Sequence, residues 1–170
     1  ALQRVVDAIQ ALPGLILLIA LVAILGTGLF QIIFALSFGR AFSNSRILRG
    51  ASFQVMSMDY VDAARSLGAG NARIMFRHIL PNVLAPVIVV GSLGFGQIII
   101  AEASLSFLGF GVAPPAATWG SMLSGEARTY MYAAPHMLWM PAITLGLVVF
   151  AVNMFGDALR DVLDPRLRGR

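Results

Sequence analysis

Cysteine is absent from the 170 residues, and lysine is absent too, so all twelve basic residues are arginine. Without cysteine, a disulfide scaffold, a thiolate metal centre and a cysteine nucleophile are excluded. Without lysine, the G-x-x-x-x-G-K-[ST] loop that grips nucleotide phosphates is excluded from this chain. Charge of either sign is also scarce, at 12%, against about 25% in an average soluble domain. Hydrophobic residues make up 58% and the mean hydropathy is +0.83. Disordered chains combine low hydrophobicity with high net charge, so disorder is excluded. The remaining class is an integral membrane protein.

The net charge of +4 and a pI near 10.7 would suit nucleic acid only if the arginines shared one solvated face. They sit instead in blocks between apolar stretches, the pattern of cytoplasmic loops. No charge occurs over residues 8–39. One helix of that length would run to about 48 Å, beyond a hydrocarbon core of about 30 Å. The Gly26-Thr27-Gly28 triplet is a natural breaker, so the run reads as spans 8–25 and 29–47, the second interrupted by Arg40 and Arg46. A third span covers 79–103 and a fourth 137–156. Residues 111–128 read as a loop with a short interfacial piece. Trp119, Tyr130, Tyr132 and Trp139 bracket the entry to the last span, where amphipathic rings favour the headgroup level. Pro13, Pro86 and Pro141 are expected to kink their helices, which neighbouring helices tolerate in lipid. The expected fold is therefore all-α: a polytopic membrane protein of about four transmembrane helices. This topology places eleven of the twelve arginines on one side and Arg128 alone on the other. The positive-inside rule makes the larger set cytoplasmic, with both termini inside.

The connection between spans two and three carries the most information. Over residues 57–81, Asp59 can cap a short helix and Asp62 places negative charge in its first turn. Gly68 or Gly70 can end that helix in the left-handed conformation. Asn71 can cap a second helix over 72–79 that stops before Pro81. The prediction is a cytoplasmic helix-turn-helix running into span three. Ala63, Ala64 and Gly68 offer small side chains for close approach by a partner, and Arg73 and Arg77, four apart, share a face. A solvated surface hairpin would show the same caps.

Asp62-Ala63-Ala64, then Gly68, then Leu80-Pro81 resembles the EAA motif of ABC-transporter permease subunits. The fuller strings Tyr60 to Ala69 and Phe76 to Asn82 are similar to the dipeptide/oligopeptide and nickel permease family. So are Ala101 to Gly109, Trp119-Gly120, and Gly156 to Arg166. These matches occur in order along nearly the whole chain and point to the "C" type of permease. The resemblance departs in three places. The motif's glutamate is Asp62 here. Arg40 stands where the family tends to carry small or apolar residues. Two further N-terminal spans of the family have no counterpart, so the sequence reads as a truncated or shortened permease.

The resemblance implies a bacterial or archaeal plasma (inner) membrane and a coupling role for loop 57–81. Asp62, Ala63, Ala64, Arg65, Gly68, Arg73, Arg77, Leu80 and Pro81 would then form the surface that meets a separate ATP-binding cassette subunit. ATP would be bound by that partner, with no cofactor in this chain. A second, different permease subunit and an extracytoplasmic substrate-binding protein are implied as further partners, and nucleic acid is not. Dipeptides or oligopeptides are the leading substrates by resemblance, with nickel or another small solute as the alternative.

Glu102 is the conspicuous polar group near an apolar run, close to the expected outer interface. It reads either as a structural hydrogen-bonding residue or as part of the outer mouth of a pathway. Gly91, Gly94 and Gly96 follow no strand, so they suit close helix packing and not a dinucleotide site. His78 and His136 fall on opposite membrane sides and cannot share a metal ion. Asp157, Asp161 and Asp164 beside Arg160 and Arg166 read as a solvated, paired helix end. Competing classes are an ion-gradient-driven transporter or channel, and a non-transporting structural membrane subunit. The former predicts acidic or polar groups near the midplane of discontinuous helices, and no carboxylate lies mid-span.

Overall fold

The computed structural model describes residues 2–163, which are helical with no strand among them. Asp164 and Arg166, with the pairing expected of them, and Arg168 and Arg170 lie outside the described residues. The helices are α1 (Leu2–Gln10), α2 (Gly14–Leu25), α3 (Leu29–Met56), α4 (Asp59–Ser66), α5 (Asn71–Arg73), α6 (Leu80–Phe107), α7 (Trp119–Met122), α8 (Glu126–Thr129) and α9 (His136–Leu163). A π turn, Ile74–Ile79, joins α5 to α6.

Pro13 divides the first charge-free run instead of kinking it. α1 ends at Gln10, and Pro13 sits in extended conformation (φ −55°, ψ 129°) as the residue before α2. Proline has no N–H to continue the ladder and tolerates the start of a helix better than its interior. α2 then stops at Gly26, whose φ is +87°. Its twelve residues rise about 18 Å, well short of a hydrocarbon core. α3, in contrast, runs on past residue 47 to Met56. The arginines expected to interrupt it find partners along the way. Arg46 pairs with Asp7 of α1 at 2.5 Å, Gln10 Nε2 donates to the Phe42 carbonyl at 2.6 Å, and Arg40 bonds to α6. Those contacts clip α1 along α3.

Among the described residues, two stretches are long and apolar enough to cross a membrane, Pro86–Phe107 and His136–Val162. Pro86 and Pro141 lie inside α6 and α9. Between lipid-embedded helices, apolar burial drives little and close packing does more. The α6–α9 seam shows this chemistry. A Cβ on Gly156 would meet the Ser92 backbone at 3.2 Å, and one on Gly96 would strike the Asn153 amide. The two pairings, 96 with 153 and 92 with 156, make the helices antiparallel. α3 and α6 are antiparallel as well: Ile32, Ala35 and Leu36 share a buried cluster with Leu105 of α6 and with Leu18 and Val22 of α2.

α6 ends at Gly109 (φ +87°). Gly109 N donates to Ser106 O and Phe110 N to Leu105 O, the paired bonds of a Schellman turn. Phe110 is thereby turned onto the buried Leu105. The following loop folds back on the same helix end, with Gly111 against Ser106 and Gly120 against the Ala103 carbonyl. Within it lies a short helix, α7, closed by a reciprocal Thr118–Ser121 capping box. The four aromatics around the start of α9 are exposed, as a headgroup-level belt requires.

Candidate functional site

α4, its turn, α5 and the π turn form a tight corner between α3 and α6. Met58 is the capping residue of α4, with no side-chain cap bond; Asp59 and Asp62 both fall in the first turn and Arg65 in the last. Each charge therefore opposes the helix dipole at its own end. The expectation that Asp59 caps the helix is thus displaced by one residue. Arg65 Nη1 donates to Asp62 Oδ1 at 3.1 Å across one turn, with both groups exposed. An exposed pair of this kind contributes about 0–1 kcal/mol, so it orients the carboxylate more than it stabilises the fold.

Gly68 ends α4 with φ +81°. Gly68 N donates to Arg65 O and Ala69 N to Ala64 O, at 3.0 Å each, a second Schellman turn. The chain then reverses through Gly70, which takes the capping position of α5 that Asn71 was expected to hold. The second helix does not stop before Pro81. It passes through the π turn, where Leu80 N bonds to Met75 O five residues back, directly into α6. A proline ring normally collides with the carbonyl four residues earlier, here that of Arg77. The widened turn immediately before Pro81 gives the ring room, and wide turns of this kind commonly sit at functional positions.

Val61 of α4 and Ile74 of the π turn are buried and fix the two arms of the corner together. Tyr60 lies beside His78, with ring centroids 6.1 Å apart. Outward from that seam, Asp62, Ala63, Arg65, Gly68, Arg73, Arg77, Leu80 and Pro81 are all exposed, and Ala64 is half-buried. The corner therefore brings the motif residues onto one accessible element. Sequence reasoning missed its apolar tip. Leu67 is 89% exposed, and Met75 and Phe76 of the π turn are exposed as well. An apolar residue directly before a helix-ending glycine was the available signal.

Glu102 lies elsewhere, near the end of α6, and accepts a 2.6 Å hydrogen bond from the buried Ser106 hydroxyl one turn on. It does not line the cleft between α1, α2, α3 and α6. His78 and His136 are not brought together, and no metal-holding cluster of His, Cys, Asp or Glu occurs among the described residues. Asp157, Arg160 and Asp161 are exposed, with no ion pair between them among the described residues.

Comparison with known proteins bears on the whole chain. The family model described as binding-protein-dependent transport system inner membrane component matches residues 1–169. The chain is similar to the glutathione transport system permease protein GsiD of Salmonella typhimurium (strain LT2), 41% identical over 168 residues. It is also similar to the protein of that name from Pectobacterium atrosepticum, 42% identical over 167 residues, and from Shigella flexneri serotype 5b, 41% over 168. Each match covers 98–99% of this chain and 55% of the relative, so the chain spans about half the length of the curated relatives it matches. With an all-helical fold, two membrane-length apolar helices and a family match over 169 residues, the chain is a membrane protein and belongs to the binding-protein-dependent transport system inner-membrane component family.

Proposed function

We propose that this chain is the translocating part of a permease subunit in an ATP-driven importer of glutathione-like or other short peptides. The observation that carries this reading is mechanical: the second arm of the exposed motif corner, α5, continues without a break, through the π turn, into the apolar helix α6. A partner that grips the corner moves α6 with it. Small exposed side chains at Ala63 and Gly68 permit close docking, Leu67 supplies an apolar anchor, and Arg65, Arg73 and Arg77 set orientation at the rim.

In this reading the corner is cytoplasmic and meets an ATP-binding cassette subunit, which binds the ATP. Closure of the ATPases converts, through α6, into alternating access. α3, α6 and α9 span the bilayer, and the α1–α2 arm supplies the remaining crossing. Both ends of the chain face the cytoplasm of a bacterial or archaeal cell. A second permease subunit completes the path, and an extracytoplasmic binding protein delivers the solute. The similarity to permeases named for glutathione transport supports a peptide-like solute. Glu102, bonded to Ser106 near the outer end of α6, holds the outer loop more than it contacts solute.

A single Leu67→Cys change tests the topology, since this sequence has no other cysteine. In intact cells, a membrane-impermeant thiol reagent is expected to leave Cys at this position unmodified. In inside-out vesicles the same reagent is expected to modify it, and added ATP-binding subunits to protect it. Modification from outside intact cells would overturn the assignment.

A further inference from the structure

A cleft of about 670 Å³ opens between α1, α2, α3 and α6, within walls that are mostly apolar. Its volume suits a small solute. Among the described residues that line it, Arg40 is the one charged side chain; Gln10, Ser43, Gln97 and Ser104 supply the other polar groups. Arg40 Nη1 donates to Gln97 Oε1 at 2.8 Å and Nη2 to the Gly94 carbonyl at 2.9 Å. Any Cβ at Gly94 would strike that guanidinium, so the backbone of α6 is shaped to receive it. Both acceptors are neutral. They hold Arg40 in place without cancelling its charge, and part of its donor fork stays unused.

The depth of this group makes its charge consequential. Arg40 lies about 16 Å of helix rise beyond Leu29, and Gln97 about 15 Å before Phe107. Both measures place the guanidinium near the middle of a hydrocarbon core of about 30 Å. A cation at that depth is costly unless it faces a water-filled cavity or meets an anion. The cleft has room for water, and among the described residues that line it no carboxylate supplies an anion. A guanidinium fork matches the planar, two-oxygen geometry of a carboxylate.

We infer that Arg40 is a solute-recognition residue that receives a carboxylate of the peptide-like cargo inside this cleft, with Gln97 and Gly94 as its positioning clamp. The inference rests on the transport reading above. The cargo carboxylate supplies the missing counter-charge for part of each cycle, so an uncharged solute of equal size gains nothing there.

The test uses the assembled transporter in membranes, with single Ser43→Cys and Ser104→Cys changes as reporters on two cleft walls. The ratio of modification rates by a sulfonate-bearing and a trimethylammonium-bearing methanethiosulfonate is compared with and without Arg40. Arg40→Gln is expected to lower that ratio about tenfold, the scale on which a charged cleft enriches a counter-ion, and Arg40→Lys to lower it less. Gln97→Glu provides the second variant. It keeps the clamp but supplies an internal carboxylate, and is expected to reduce both the ratio and the maximal uptake of a free-acid tripeptide about tenfold. If Gln97→Glu transports like the unaltered protein and labelling ignores reagent charge, Arg40 is a structural clamp and the inference is overturned. Unreactive cysteines at both positions would mean that protein or lipid fills the cleft, which overturns it equally. Absence of ATP-driven uptake by the unaltered transporter refutes the transport reading and the cargo role with it, and the labelling ratio then reports only whether Arg40 charges the cleft.

Discussion

Gly68 separates two demands that a glycine can meet, because nothing lies within 4 Å of where its Cβ would stand. Space is not its purpose; the φ of +81° is. A non-glycine residue in the left-handed region costs roughly 1–2 kcal/mol, and asparagine adopts it more readily than a β-branched residue. Gly68→Asn is therefore expected to keep both assembly and uptake. Gly68→Val is expected to distort the Schellman turn and uncouple transport, seen as ATPase activity that no longer rises when loaded binding protein is added. Equal behaviour of the two variants would remove the backbone account of this position. The sequence pointed to Gly68 or Gly70 as the turn residue, since both could adopt that conformation. The structure chose Gly68, because only there do the amides of residues 68 and 69 reach the orphan carbonyls of Arg65 and Ala64.

At the scale of elements, the π turn is the least legible feature. A proline after a helical stretch normally reads as a stop, which is why the second arm was expected to end before residue 81. The chain instead widens one turn and carries on, so α5, the π turn and α6 form one continuous helical stretch. Pro81→Ala removes the reason for widening and allows the turn to tighten into regular α-helix, which rotates the corner about the α6 axis. The complex is expected to assemble, with uptake per ATP hydrolysed falling several-fold. The ratio of the two rates in proteoliposomes checks this, and an unchanged ratio would show that the corner's orientation does not depend on Pro81. Similar logic explains α3. Arg40 and Arg46 read as interruptions because charge opposes lipid, but each is answered by a group distant in sequence, and the helix continues.

Across the whole molecule, α9 stands out because its apolar face is uncovered: Ile143, Leu147, Phe150 and Met154 are all exposed. In a bilayer this face is satisfied by lipid or by another apolar helix. Leu147 lies near the centre of the His136–Val162 stretch, so Leu147→Arg is expected to weaken membrane insertion by about 2.5–3.5 kcal/mol. Glycosylation mapping of the inserted fraction measures this directly. A negligible effect would mean that residue 147 faces water, which would move the solute path to that side of the bundle.

Composition alone determined the membrane class, because so few charges and so much apolar surface have no stable solution in water. Residue order determined the glycine turn after the first short helix, because a glycine's left-handed conformation acts within a few residues of itself. Only the tertiary structure decided that α1 clips to α3, that Pro13 separates two helices, and that Arg40 meets Gln97 and Gly94. Those outcomes depend on groups separated by tens of residues, and a lone arginine or proline does not announce its distant neighbour.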